Sequence, residues 1–169
     1  MFKQLWDTLN PRLTWALLAI GCMGLLGFGM YLQHVVGLEP CPMCIVQRYA
    51  MVMIALIALL ALAWRSVTAG KVLALLAWAM ALFGAFVAAR QSFLQWYPPT
   101  IASCGRDFYG MIESFPLQRA IPLIFKGSGD CAAVDWTFLG GSIANWSFVA
   151  FVAVAIWVMA MFFTKLDKG

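Results

Sequence analysis

The 169-residue chain has few charged residues and only one histidine. Asp, Glu, Lys and Arg together make up 11% of the sequence, less than half of the roughly 25% that is usual in soluble domains. A disordered chain has more charge and less apolar character, so disorder is excluded and a soluble globular domain is strongly disfavoured. The single histidine, His34, also excludes a histidine-rich metal site.

The basic residues form no stripe along the chain. Eleven Lys and Arg are offset by seven Asp and Glu, which leaves a net charge of +4, and this pattern is not that of a nucleic-acid-binding protein. Apolar residues are abundant instead, since 64% of the sequence is hydrophobic, against roughly 45–50% in an ordinary soluble domain. We therefore expect an integral membrane protein whose residues 1–169 form a single membrane domain, with no nucleic-acid partner.

Four stretches of the chain are apolar over the length of a membrane span. An α-helix of about 20 residues crosses the ~30 Å hydrocarbon layer, and each stretch is long enough to do so. Only the second contains a charged residue, Arg48, one turn from its start. The sequence predicts an all-α bundle of four transmembrane helices, at about residues 13–32, 45–64, 72–89 and 146–163, with loops at 33–44 and 91–144.

A cleaved signal peptide is the alternative interpretation of the first stretch. Lys3 and Arg12 would form its basic region, and Gly27-Phe28-Gly29 would supply the small residues of a cleavage site. The apolar run is longer than the 7–15 residues that are typical of signal peptides. The sequence therefore favours a retained first helix.

The charges are divided unevenly between the two sides of the predicted bundle. One side carries both termini and the 65–71 turn, with six basic and two acidic residues, whereas the two loops on the other side carry three basic and five acidic residues. The positive-inside rule then predicts that both termini are cytoplasmic and that the long loop lies outside the cytoplasm. The six basic residues are Lys3, Arg12, Arg65, Lys71, Lys165 and Lys168.

Four of the five cysteines fall in the two outward loops, where disulfides form and persist. Cys41 and Cys44 form a Cys-x-x-Cys motif at the start of the second span, and prolines at 40 and 42 suit an extended approach to a helix. The motif and the helix N-terminus both favour a thiolate, which makes such a pair prone to exchange. Cys22 lies within the first span, where it is expected to behave as a small apolar residue.

For the second pair, Cys104 and Cys131, a structural disulfide and a metal site are the alternatives to redox exchange. A disulfide across the 26 intervening residues would stabilise the loop by about 3–4 kcal/mol as a purely structural link. Alternatively, all four outward cysteines would form a zinc site, but such sites usually have two short Cys-x₂₋₄-Cys units and only one is present. We therefore expect no metal, and two neighbouring pairs on one face favour disulfide exchange.

Arg48 follows Cys44 by four residues, so both side chains project from the same face of the second helix. A charged side chain at this depth is costly unless it reaches the interface or finds a partner. One interpretation is an arginine that merely extends to the interface. The other is a guanidinium that holds a polar, electron-accepting head group, such as a quinone carbonyl, beside the Cys44 sulfur.

The combination of these motifs resembles the family of disulfide bond formation protein B (DsbB). The resemblance covers nearly the whole chain, and the combination is specific where each motif alone is not. Some relatives carry a histidine near the outer end of the third helix, where this chain has Arg90-Gln91, so no quinone role of an imidazole is expected here. The motifs are Pro40-Cys41-x-x-Cys44 leading to Arg48, Gln95-x-Tyr97-Pro98 before Cys104, and Gly127-Ser128-Gly129-Asp130-Cys131 followed by Trp136-x-Phe138-Leu139-Gly140.

The resemblance implies a protein dithiol:quinone oxidoreductase of the bacterial inner membrane. Such an enzyme reoxidises a periplasmic DsbA-like thiol oxidant and passes two electrons to ubiquinone or menaquinone. Its catalytic residues would be Cys41, Cys44, Cys104 and Cys131, and Arg48 would bind the quinone. The partner would meet the Cys104–Cys131 pair on the loop, which would then exchange with Cys41 and release Cys44 beside the quinone.

Two alternatives to this function stay open at the level of the sequence. One is a non-enzymatic four-helix membrane protein whose outer loops are simply cross-linked. The other is a reductive enzyme that uses the same cysteines to regenerate thiols from a quinol. Loss of thiols from a reduced partner in the presence of quinone distinguishes the three.

Overall fold

Four long helices make up nearly all of the chain that the computed structural model describes, namely residues 10–38, 40–64, 66–97 and 136–164. Each is long and apolar enough to cross a membrane, which confirms the predicted bundle of four apolar helices. Cys104 and Cys131 lie outside the described residues, as do Lys3, Arg65, Lys165 and Lys168. The helices are α1 (Pro11–His34), α2 (Pro42–Ala63), α3 (Val67–Trp96) and α4 (Ile143–Thr164).

Each helix begins before its predicted span, and α1, α3 and α4 also continue beyond it. The difference is clearest in α3, which is predicted over 72–89 and continues to Trp96. The prediction followed the uncharged run, which marks the apolar layer of the membrane. A helix continues past that layer because its backbone groups still pair within the segment. As a result Cys44 and Gln91, both expected in loops, lie on α2 and α3.

Consecutive helices pack against each other along the bundle, whereas α1 and α4 make few contacts. At the end of the bundle that holds the chain's first described residues, the Thr14 hydroxyl on α1 donates a hydrogen bond to the Met161 sulfur on α4 at 3.2 Å. Toward the other end, where α2 and α4 begin, a cavity lies between α1 and α4. The bundle is therefore closed at one end and open on one side at the other.

Small residues allow α3 to approach its neighbours closely. Gly84 lies against the ring of Phe151 on α4, and a β-carbon at this glycine would overlap that ring. Lipid tails are as apolar as the helix side chains, so there is no hydrophobic driving force for helices to associate in a membrane. They associate instead through close packing, which small residues allow. The buried alanines of α3 follow at intervals of three and four residues, as expected for one packed face: Ala74, Ala77, Ala81, Ala85 and Ala88.

A short hairpin, not predicted from the sequence, leads into α4. Its strands are β1 (Thr137–Phe138) and β2 (Gly141–Ser142), which pair in antiparallel register. Leu139 and Gly140 both have positive φ, as the two central residues of a type I′ turn require. Ser142 then caps α4, because its hydroxyl accepts the backbone N–H of Asn145 at 3.4 Å.

Candidate active site

The first turn of α2 brings Cys41 and Cys44 together. Cys41 is the N-cap of the helix, and its sulfur accepts the backbone N–H of Cys44 at 3.4 Å. The two sulfur atoms lie 3.1 Å apart in the thiol form, whereas a disulfide places them about 2.05 Å apart. A small movement within one helical turn would therefore close or open a disulfide.

This turn is anchored to α3 by apolar contacts. Met43, between the two cysteines, is fully buried and belongs to one cluster with Val87 and Leu94 of α3. Cys41 is 8% exposed and Cys44 is half-buried. The packing of Met43 fixes the first turn of α2 on α3 and leaves the Cys44 side more accessible than the Cys41 side.

A glutamine side chain lies next to the sulfur atoms, and a second glutamine is bonded to the first. The Gln91 amide nitrogen on α3 is 3.3 Å from the Cys41 sulfur and 3.2 Å from the Cys44 sulfur. The Gln91 carbonyl oxygen accepts a hydrogen bond from the amide nitrogen of Gln47 on α2 at 2.7 Å. Both glutamines are buried, with Gln91 3% and Gln47 5% exposed. The cysteine pair is therefore next to buried polar side chains on its α3 side.

The opposite side of Cys44 faces a cavity of about 710 Å³. The cavity lies between α1, α2, the hairpin and the first half of α4, and most of its lining is apolar. Cys44, Gln47 and Arg48 form part of the wall contributed by α2, and Cys41 is not among the described lining residues. Cys44 is thus the cysteine of this pair that a molecule in the cavity would meet.

Arg48 reaches from α2 to α1 across the wall of this cavity. Its guanidinium donates to the backbone oxygen of Gly29 at 3.1 Å and to the side-chain oxygen of Gln33. Both acceptors are neutral, so neither bond offsets the charge of the guanidinium, which has five N–H donors in all. This geometry holds the group in place beside the cavity and joins α1 to α2.

Aromatic rings from α1, the hairpin segment and α4 also line the cavity. The ring of Trp136 stacks on Phe138 with centroids 6.0 Å apart and meets the edge of Phe28 at 6.3 Å. The Trp146 ring lies 6.1 Å from that of Phe138, and its N–H donates to the Phe138 backbone oxygen at 2.9 Å. Flat apolar surfaces of this kind suit a planar ring as ligand.

Three of the predicted site residues meet here, namely Cys41, Cys44 and Arg48, and Cys104 and Cys131 fall outside the described residues. Cys22 is 1% exposed in the core of the bundle. Sequence reasoning missed Gln33 and Gln47, and it noted Gln91 beside Arg90 without assigning it a role. Gln47 follows Cys44 by three residues, which is a usable local signal, whereas the contact of Gln91 spans 47 positions.

Comparison with known proteins places these features in one family. Residues 11–161 match the sequence model described as "Disulfide bond formation protein DsbB". A protein of Polaromonas naphthalenivorans named "Disulfide bond formation protein B" is 66% identical, over 95% of each chain. Proteins of the same name from Paracidovorax citrulli and Albidiferax ferrireducens are 62% and 59% identical, over 92% and 96% of this chain and 89% and 94% of theirs.

Proposed function

Because the chain belongs to the disulfide bond formation protein B family, we propose that it is a protein dithiol:quinone oxidoreductase of the bacterial inner membrane. Family membership makes it a disulfide-forming oxidoreductase, and four apolar helices make it a multi-pass membrane protein. The proposal adds the electron acceptor, ubiquinone or menaquinone, and the electron donor, a reduced DsbA-like protein of the periplasm.

One observation carries the choice of acceptor: the Cys44 sulfur and the Arg48 guanidinium share the wall of one largely apolar cavity. A quinone has an apolar ring and tail that suit this lining, and a carbonyl oxygen that can accept a hydrogen bond from Arg48. The cavity volume of about 710 Å³ is in the range of small-molecule sites, roughly 300–1,000 Å³. Arg48 would orient the ring so that its reactive part lies next to Cys44.

The proposed reaction moves two electrons and two protons in each step. A thiolate of the reduced partner attacks Cys104, which breaks the Cys104–Cys131 disulfide and forms a mixed disulfide; the partner's second thiol then resolves it and leaves Cys104 and Cys131 reduced. This dithiol attacks Cys41, becomes a disulfide again, and leaves Cys41 and Cys44 reduced. Cys41 and Cys44 then re-form their disulfide, and quinone takes up the two electrons and two protons to become quinol.

The same proposal sets the orientation of the chain. Residues 1–169 form one membrane domain, with both termini in the cytoplasm and the segment between α3 and α4, which carries Cys104 and Cys131, in the periplasm. Arg12 and Lys71, at the starts of α1 and α3, lie at the end of the bundle that is proposed to be cytoplasmic, as the positive-inside rule requires. The Cys41–Cys44 turn lies at the other end.

A coupled assay tests the function. The purified chain in lipid is mixed with a reduced DsbA-like protein and a soluble quinone analogue, and thiols and quinol are measured together. We expect one quinol for every two thiols lost. No loss of thiols would favour a bundle with purely structural cross-links, and consumption of added quinol with gain of thiols would favour the reductive enzyme.

A labelling experiment tests the orientation. After mild reduction, a maleimide that cannot cross membranes is added to cells whose outer membrane alone has been made permeable. We expect Cys41, Cys104 and Cys131 to be labelled, because the proposal places all three on the periplasmic side, with Cys41 slower because it is buried. Labelling of these residues only after the inner membrane is opened would contradict the orientation, and Cys22 serves as the unlabelled control.

A further inference from the structure

We propose that Gln91 is a positioning residue for the Cys41–Cys44 pair, which stabilises the reduced pair by donating hydrogen bonds to both sulfur atoms, and that Gln47 fixes the direction of its amide. The proposal rests on the proposed function in one respect, that this pair is redox-active. It does not depend on the identity of the electron acceptor.

The geometry assigns one donor of the amide to each sulfur. The Gln91 amide nitrogen carries two N–H groups, and it lies 3.3 Å from the Cys41 sulfur and 3.2 Å from the Cys44 sulfur. The nearly equal distances mean that neither sulfur is favoured. The amide thus bridges the pair and supports the reduced arrangement, in which both sulfurs are available as acceptors.

Gln47 determines which end of the Gln91 amide faces the sulfurs. Its own amide nitrogen donates to the Gln91 carbonyl oxygen at 2.7 Å, whereas the Cys44 sulfur lies 3.7 Å from that oxygen and 3.2 Å from the amide nitrogen. The oxygen is therefore held mainly by Gln47, and the two N–H groups are directed to the cysteines. Gln47 lies on α2 three residues after Cys44, so it is fixed relative to the sulfurs. Burial of both glutamines keeps water from competing for these bonds.

Gln91 approaches the sulfurs from α3, on the side away from the cavity. It is not among the described residues that line the cavity, whereas Cys44 is. A ligand in the cavity would therefore meet Cys44 without displacing the amide. This arrangement separates the residue that tunes the cysteines from Arg48, which is proposed to hold the acceptor.

The consequence concerns the redox equilibrium of the pair. A thiolate accepts a hydrogen bond more strongly than a disulfide sulfur does, so the amide stabilises the reduced form and makes the disulfide a stronger oxidant. Loss of a hydrogen bond to a charged group corresponds to about a 10- to 150-fold change in an equilibrium constant. For a two-electron couple this is a shift of about 30–65 mV toward a more negative reduction potential.

The test measures this equilibrium directly, in the full chain with Cys104 and Cys131 replaced by alanine and no quinone added. The ratio of disulfide to dithiol at Cys41 and Cys44 is determined in a series of dithiothreitol redox buffers. Gln91→Met keeps the length of the side chain and removes its donors, and we expect the 10- to 150-fold loss of reduced form. Gln91→Glu has the same shape but places a carboxylate at the sulfurs, so a larger loss is expected.

Two further variants separate positioning from general stability. Gln47→Met leaves the Gln91 donors in place but removes the hydrogen bond that orients them. A smaller shift of the redox equilibrium, in the same direction, is therefore expected. Gln95→Met, one turn along α3, removes an amide whose oxygen accepts from Ser142 at 2.5 Å, and it should leave the redox equilibrium unchanged. Thermal unfolding of each variant is followed in parallel, and folded protein is used throughout.

Unchanged equilibria in folded Gln91→Met and Gln91→Glu would overturn the role of Gln91 and leave the proposed function intact. An equal shift in Gln95→Met would also overturn it, because the effect would then not depend on contact with the sulfurs. If Cys41 and Cys44 never exchange with the buffer in the parent chain, the proposed function itself fails. The outcomes are therefore distinguishable.

Discussion

Replacing Cys44 by alanine should abolish quinone-linked oxidation of the partner protein. Cys44 is the cysteine of its pair that faces the cavity, and without it no disulfide with Cys41 can re-form as electrons leave. We expect turnover to fall to the uncatalysed background, as measured by loss of partner thiols in the coupled assay. Alanine at Cys41, Cys104 or Cys131 should have the same result, since each belongs to one of the two pairs that are proposed to exchange.

A fifth cysteine provides the matched control. Cys22 is buried in the core formed by α1 and its neighbours, where a free cysteine acts as a small apolar residue, so Cys22→Ala should retain near-normal turnover. Loss of activity in this variant, with expression and unfolding temperature intact, would show that the redox-active set has been assigned wrongly.

A small dithiol tests the assignment of the two pairs separately. Cys104→Ala should still pass electrons from dithiothreitol to quinone through Cys41 and Cys44.

Replacing Arg48 by alanine should raise the apparent KM for quinone about 10- to 150-fold, which corresponds to the roughly 1.5–3 kcal/mol of a hydrogen bond from a charged donor. Arg48→Lys keeps the charge but loses the planar fork and should be milder. Because a positive charge also favours a nearby thiolate, the rate at saturating quinone is expected to fall as well. Steady-state kinetics at varied quinone concentration provide the measurement.

Arg48 also connects two helices, and this second role needs its own control. Its bonds to Gly29 and Gln33 join α2 to α1, so thermal unfolding is measured for each Arg48 variant. Single-turnover exchange with the reduced partner, which requires no quinone, should be unaffected. An unchanged quinone KM in folded Arg48→Ala would reduce the residue to a helix-joining and interfacial role.

The local features of this molecule were predictable, and those that arise between distant helices were not. Uncharged runs indicate four spans because charge is costly in lipid, and the spacing of Cys44 and Arg48 places them on one helical face. Gln91 reaches the cysteines only because α3 continues past its apolar run and packs on the first turn of α2. No short-range pattern in the sequence encodes that contact.

The cavity and the hairpin are also outside the reach of sequence patterns. The cavity exists because α1 and α4 meet near Thr14 and Met161 and not at the other end, which depends on how four helices pack together. The hairpin depends on Leu139 adopting a backbone conformation that is uncommon for a residue other than glycine. Neither has a periodicity that could be recognised in advance.

The separation of α1 and α4 has a kinetic consequence. If the proposed function holds, a lipid-soluble acceptor would enter through this opening by diffusing in the plane of the bilayer, while the proposed protein donor would arrive from the aqueous phase. The two proposed substrates would then approach by different routes and would not compete for a common entrance. Turnover should accordingly respond to the number of acceptor molecules per lipid rather than to their concentration per volume of solution.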